Sequence, residues 1–215
     1  MTQEFVKRII SSVVLIAIII FFIIKGSVFL NLLILFCFLI SLYEWYMMRK
    51  NNTYYVSGII FLFVSFYSVF RLTNFEVDYS YFLFILLICI STDIGGYIFG
   101  KFFKGKKLTK ISPNKTYSGV LGSFTLSLIL SYLFIELTTI FPYLKFNSIN
   151  TLIFILLISL ISQVGDIIIS YFKRKSKIKN TGNIIPGHGG LLDRIDGMIF
   201  AFPFGYLVLY LEILK

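Results

Sequence analysis

Residues 149–175 read INTLIFILLISLISQVGDIIISYFKRK. The apolar part of this stretch exceeds the roughly 20 residues that an α-helix needs to cross a bilayer, and three basic residues end it. One carboxylate, Asp166, interrupts the apolar run seven residues before Lys173. At about 1.5 Å per residue, Asp166 lies roughly 10 Å from the basic end. The stretch therefore predicts a membrane-spanning helix that carries an acidic group.

The whole chain has this apolar character. Of its 215 residues 58% are apolar and 14% are charged, against about 45–50% and about 25% in soluble domains. This composition excludes an ordinary soluble fold and predicts an all-α, polytopic membrane helical bundle. Together with residues 149–172, about seven transmembrane helices are predicted from the apolar runs 9–24, 28–43, 54–70, 79–99, 119–140 and 197–214.

The basic residues predict the orientation of these helices. With a cytoplasmic N-terminus, 16 of the 20 Lys and Arg residues lie on the cytoplasmic side, as the positive-inside rule requires. Two basic cytoplasmic loops then span residues 100–118 and 173–196. We expect an N-terminal three-helix membrane region over residues 1–78 and a C-terminal membrane catalytic region over residues 79–215.

Cysteine and histidine usage limits the metal chemistry. The chain has Cys37 and Cys89, both in apolar runs, and a single histidine, His188. Neither a disulfide framework nor a zinc site is expected, so carboxylates would hold any metal, and the ion would be a hard one such as Mg²⁺. In so apolar a chain the net charge of +10 points to a lipid bilayer and anionic headgroups, and not to nucleic acid.

Acidic residues inside the apolar runs are the candidate functional groups. Asp93 and Asp166 lie at matching depths in the fourth and sixth runs. A charge there costs several kcal/mol unless it faces a polar cavity or a partner, so it indicates a functional site; pairing with a lysine at the helix end is the alternative. Ser162, Asp166 and Ser170 are spaced to form one polar stripe. For Glu44, beside Trp45, the favoured role is an interfacial anchor.

A third acidic group precedes the last span. Asp193 and Asp196 flank Arg194 and follow a turn-rich segment, residues 186–190, that contains His188. The acids are suited to cap a helix, and the glycines are suited to wrap backbone amides around an anion. For His188 a structural role remains equally open. Acids that hold magnesium, ringed by bases that hold phosphate, are the groups that phosphoryl or nucleotidyl transfer needs.

Two sequence stretches resemble the phosphatidate cytidylyltransferases, the CDP-diacylglycerol synthases. The first matches at Asp93, Gly95, Tyr97, Gly100, Ile111, Ser112, Pro113, Lys115, Thr116 and Gly119. The second matches at Ser170, Lys173, Arg174, Lys179, Gly182, Pro186, His188, Gly189, Gly190, Asp193, Arg194 and Asp196. The chain departs from the family pattern at Ile169, Ser118 and Asn180, where the family commonly has Glu, Glu and Asp.

The resemblance implies an enzyme that converts CTP and phosphatidic acid to CDP-diacylglycerol and pyrophosphate. It implies Mg²⁺ held by Asp166 and Asp193, with room for a second cation. The implied catalytic residues are Asp166, Asp193, Asp196, Lys173, Arg174 and Arg194. The implied substrate-binding residues are Asp93, Ser112, Lys115, Thr116, Ser170, His188, Gly189 and Gly190. We expect the protein in a bacterial-type cytoplasmic (inner) membrane, with its active site facing the cytoplasm. A homodimer is also expected.

Two other functions remain open from the sequence. A CTP-dependent kinase of a polyprenol or similar lipid alcohol would need the same nucleotide site but would release CDP. A transporter or a non-catalytic scaffold would use the buried acids as an ion path. The second alternative requires no dependence on CTP, and it leaves the Gly-rich loop around His188 unexplained.

Overall fold

The computed structural model describes residues 3–48, 54–74, 79–109, 111–137, 148–185, 187 and 189–213. This part of the chain is all-α and contains only isolated β-bridges in place of strands. Its eight helices are α1 Gln3–Lys25, α2 Ser27–Met47, α3 Tyr55–Thr73, α4 Ser80–Phe103, α5 Tyr117–Leu137, α6 Ser148–Lys175, α7 Leu192–Ile195 and α8 Met198–Tyr210.

The helices have the lengths and compositions of a membrane bundle. Helices α2 to α6 are each long and apolar enough to cross a bilayer, and α1 and α8 supply two shorter apolar segments. The chain is therefore an integral membrane protein, and the predicted all-α, polytopic helical bundle is confirmed. Five long helices and two shorter ones are consistent with the predicted count of about seven spans. The cytoplasmic location of the N-terminus stays a prediction. The last span is the shortest of them, with 13 helical residues around Pro203. The predicted ends of the fifth and last spans, at Ile140 and Leu214, lie outside the described residues.

Helices α4 and α5 pack backbone to backbone. A Cβ atom at Gly95 would collide with the carbonyl group of Gly122, and one at Gly96 would come within 2.8 Å of the Ser123 hydroxyl. Glycines at a crossing allow helix axes to approach closely, as small residues do in membrane bundles. This crossing holds α4, which carries Asp93, against the first turns of α5. The two helices together form one wall, the α4–α5 wall.

Two apolar clusters hold the remaining helices around that wall. The larger cluster joins α4, α6 and α8 through buried residues such as Phe84, Phe154 and Ala201. The smaller cluster includes Trp45 of α2 and Leu192 of α7. Helix α2 thus contacts the segment that begins the last span. The predicted division of the chain near residue 78 stays a prediction.

Candidate active site

Polar side chains meet in a cavity of about 430 Å³ at the end of the bundle where α4 and α6 end and α5 begins. Its lining includes four carboxylates and three bases, which are Asp93, Asp166, Asp193, Asp196, Lys115, Lys173 and Arg194. The acids that the sequence places in or beside three separate spans therefore face one space. Both basic loops contribute to the same lining.

Asp166 is held by residues from two directions. The Lys115 ammonium lies 2.6 Å from Asp166 Oδ2, and the Ser170 hydroxyl donates to Asp166 Oδ1 at 3.2 Å. Lys115 also donates to the Gln163 carbonyl at 3.1 Å. Ser170 was predicted to bind substrate, but it is buried and is not among the cavity-lining residues, so it contacts the site through Asp166, one helical turn away. The ion pair ties the first basic loop to α6.

Backbone hydrogen bonds keep Lys115 in place. The Leu108 amide donates to the Lys115 carbonyl at 2.8 Å, and the Tyr117 amide donates to the Lys106 carbonyl at 3.1 Å. Thr116 precedes α5 and accepts a bond from the Gly119 amide at 3.1 Å, which is N-cap geometry. Ser112 and Thr116 also line the cavity. The loop thus presents a lysine and two hydroxyls from a folded turn.

Asp193 closes the second basic loop onto α7. Its Oδ1 accepts a bond from the Lys173 ammonium at 2.8 Å, and its Oδ2 accepts from the Thr181 and Gly190 amides at 2.8 and 3.0 Å. Both oxygens are therefore engaged with protein donors. Such a carboxylate has a structural task besides any role toward a ligand.

Asp196 completes the acidic side of the cavity. Its Oδ1 accepts a bond from the Gly197 amide at 3.0 Å, and its Oδ2 lies 3.7 Å from the Lys173 ammonium. Burial raises the pKa of the Asp196 carboxyl well above its ordinary value, and the neighbouring Asp166 carboxylate raises it further. Both acids line the same cavity, and this arrangement favours a cation near them.

The carboxylate oxygens of these acids fit a magnesium ion that binds together with a polyphosphate. Within the described part of the chain, no three Asp, Glu, His or Cys side chains converge as a metal site by themselves. Mg²⁺ commonly takes one or two carboxylates, with water and substrate phosphates filling the other positions. Asp166 and Asp193 both line the cavity, but 29% of the Asp166 side chain is accessible against 8% of the Asp193 side chain. The predicted metal ligands stay a prediction, and Asp166 is the better placed of the two.

The remaining predicted site residues are Arg174, Gly189, Gly190 and His188. Arg174 is exposed, donates to the Ile178 carbonyl at 3.4 Å, and is not among the cavity-lining residues. Gly189 has a φ of +88° and exchanges two backbone bonds with Ile185, so a tight turn explains this glycine. Gly190 packs against Thr181 and Glu44. His188 lies outside the described residues.

A second cavity adjoins the first. It has a volume of about 780 Å³ and shares three lining residues with the first, Tyr97, Asn180 and Arg194. Its other lining residues come from the second basic loop and include Lys179 and Asn183. The two spaces together offer room for a ligand larger than a triphosphate.

Glu44 is the residue whose role the sequence misjudged. The expected interfacial anchor is wrong, because only 1% of Glu44 is exposed. Its carboxylate accepts bonds from the Thr181 hydroxyl and from the Leu191 and Leu192 amides, at 2.7, 2.8 and 2.8 Å. The available signal was an acid in an apolar run, the same signal that singled out Asp93 and Asp166.

Comparison with known proteins gives the same family as the motifs. The sequence model of the cytidylyltransferase family matches residues 52–212. A phosphatidate cytidylyltransferase of Rickettsia typhi is 35% identical over 210 residues, which cover 94% of this chain and 90% of that protein. Its Rickettsia felis counterpart is 36% identical over 207 residues, with the same coverage. The Bacillus subtilis phosphatidate cytidylyltransferase is 38% identical over 133 residues, 61% of this chain and 48% of that protein.

Proposed function

Since the chain belongs to the cytidylyltransferase family, we propose that it is a phosphatidate cytidylyltransferase, a nucleotidyltransferase of phospholipid biosynthesis. The enzyme transfers CMP from CTP to phosphatidic acid, and it releases CDP-diacylglycerol and pyrophosphate. The observation that carries this proposal is the cavity in which four carboxylates and three bases meet at one end of a membrane bundle.

The location of the cavity suits the two substrates. Phosphatidic acid is held in the leaflet by its acyl chains, while CTP is dissolved in water, so the reacting atoms must meet near headgroup depth. Asp93 and Asp166 lie in the C-terminal halves of α4 and α6, and each of these helices carries basic residues in its last turn. The positive-inside argument supports a cytoplasmic face for that end. The bacterial origin of the similar proteins supports a bacterial inner membrane as the setting.

The chemistry exchanges one phosphorus–oxygen bond for another. A phosphate oxygen of phosphatidic acid attacks the α-phosphorus of CTP, and the bond from that phosphorus to the pyrophosphate oxygen breaks. The attacking group is already an anion near neutral pH, so no general base is required. Positioning of the reactants and neutralisation of charge carry the rate enhancement.

Lys115 and Lys173 supply that neutralisation. Lys115 is paired with Asp166, and Lys173 is paired with Asp193 and Asp196. When phosphates enter, these ammonium groups exchange a carboxylate partner for a phosphate oxygen. Asp166, with Asp193 or Asp196, would then hold Mg²⁺, which supplies charge neutralisation and polarises the phosphate when bound. A second cation and the homodimer stay predictions.

An assay of the purified protein tests the proposal. CTP labelled at the α-phosphorus is mixed with phosphatidic acid micelles and Mg²⁺, and lipid and water-soluble products are separated. We expect the label in the lipid fraction, an equal amount of pyrophosphate, and loss of both on chelation of the metal.

Two results would contradict the proposal. Release of labelled CDP together with phosphorylation of an added polyprenol would identify the lipid kinase instead. Absence of any CTP-dependent product, with no CTP binding by folded protein, would favour the transporter or scaffold.

A further inference from the structure

Glu44 lies in α2, before the segment that the cytidylyltransferase family model matches, yet it contacts the loop that lines the cavity. We propose that Glu44 is a positioning residue that fixes the second basic loop and α7, and so sets the positions of Asp193, Arg194 and Asp196. This inference rests on the proposed function, and it assigns to α2 a part in the catalytic unit.

The contacts of Glu44 join three segments. One carboxylate oxygen accepts the Leu191 amide, and the other accepts the Leu192 amide and the Thr181 hydroxyl. Helix α7 has no side-chain N-cap of its own. The carboxylate therefore satisfies amides at the start of α7 from another helix, as an N-cap oxygen would do locally.

Thr181 connects Glu44 to the cavity. Its hydroxyl donates to Glu44, while its backbone amide donates to Asp193 Oδ2. Asp193 in turn binds Lys173, which lines the cavity. A displacement of Glu44 would thus be passed through one residue to the carboxylate and the ammonium group that face the ligand.

Two glycines make room for this carboxylate. A Cβ atom at Gly182 would come within 2.8 Å of Glu44 Oε1, and one at Gly190 would collide with the Glu44 carboxylate and the Thr181 hydroxyl. The approach of the loop to Glu44 therefore explains both glycines. A phosphate cradle is not needed to account for them.

The hydrogen bonds of Glu44 require a side chain whose two terminal atoms both accept, as a carboxylate does and an amide does not. All three partners of Glu44 are donors. Glutamine has nearly the same size, but its NH₂ group would face at least one of these donors and leave it unsatisfied. Glu44→Gln therefore tests the hydrogen-bonding pattern without opening a cavity.

Kinetics of purified variants test the positioning role. For Glu44→Gln we expect kcat per folded enzyme to fall roughly 10- to 100-fold, the usual effect of losing a residue that orients active-site groups. The KM for phosphatidic acid should change less than kcat. Thr181→Val, which removes the hydroxyl, should lower kcat as well, and Thr181→Ser, which keeps it, should restore wild-type kcat.

Trp45→Phe is the matched control on the same helix. It deletes a part-buried bond from the Trp45 indole to the Tyr55 carbonyl at 3.0 Å and leaves the three hydrogen bonds of Glu44 in place. We expect a lower thermal midpoint and an unchanged kcat. If Glu44→Gln behaves in the same way, Glu44 only stabilises the bundle and the proposal is overturned.

Hydrogen exchange tests the inference separately from the catalytic activity. In Glu44→Gln the amides of Leu191 and Leu192 should exchange faster, while peptides of α5 should exchange as in the wild type. Unchanged protection at Leu191 and Leu192 would overturn the positioning role even in an active enzyme. Failure of the wild type to make CDP-diacylglycerol would instead overturn the proposed function, and exchange would still report on the loop.

Discussion

Lys115 and Asp166 form an ion pair of 2.6 Å that joins the first basic loop to the middle of the cavity wall on α6. The side chains keep 23% and 29% of their surfaces accessible, so a ligand can reach both. The pair is therefore an exchangeable contact, whereas Asp193 Oδ2 is held by the backbone amides of Thr181 and Gly190 within its own loop.

Lys115→Met should remove a cation from the CTP phosphates. We expect kcat/KM for CTP to fall about 100-fold or more, the usual loss for a group that stabilises developing negative charge. Lys107→Met is the control, because Lys107 is an exposed lysine of the same loop and lines neither cavity. An equal loss in both variants would show a general effect of loop charge.

Asp166→Asn and Asp193→Asn should both abolish CDP-diacylglycerol formation but should differ in stability. Asp193 accepts three bonds that an amide cannot fully replace, so its variant should lose about 3 kcal/mol of unfolding free energy. Asp166 is more accessible, and its variant should keep a thermal midpoint near that of the wild type. Full activity of purified Asp166→Asn would remove it from the proposed metal site.

The sequence predicted the spans and the acids of the site for the same physical reason. A helix in lipid needs about 20 apolar residues, so charges inside such a run are conspicuous. Asp93, Asp166 and Asp193 all line the cavity that the sequence anticipated. The contacts of Glu44 were not predictable, because they depend on how α2 packs against a loop nearly 140 residues later in the chain.

Two neighbouring bases that the family resemblance groups together should differ in importance. Lys173 is buried between Asp193 and Asp196, whereas Arg174 is exposed and contacts the Ile178 carbonyl. Lys173→Met should lower kcat about 100-fold, and Arg174→Met should lower it by less than about tenfold. Initial rates over a range of CTP concentrations would measure both. A larger effect at Arg174 would mean that it moves into the cavity with substrate.

Asn180→Asp should be tolerated. Asn180 is exposed and lines both cavities, and aspartate has the same shape, so no packing changes. We expect kcat to stay within about twofold of the wild type, the equivalent of about 0.4 kcal/mol. Steady-state kinetics at several Mg²⁺ concentrations would check this. A collapse of activity would show that the site has diverged from its family at this position.

Gly122→Ala should disturb the close packing of α4 against α5, the two helices that form one wall of the cavity. The new methyl group would meet the Phe99 side chain and the Gly95 carbonyl, and such overpacking costs about 1–3 kcal/mol. Because α4 carries Asp93 and α5 begins beside Thr116, kcat should fall together with the thermal midpoint. Leu121→Ala is the control, since 66% of Leu121 is exposed on the outer surface. If only Leu121→Ala impaired the enzyme, the crossing would not be what holds the cavity wall.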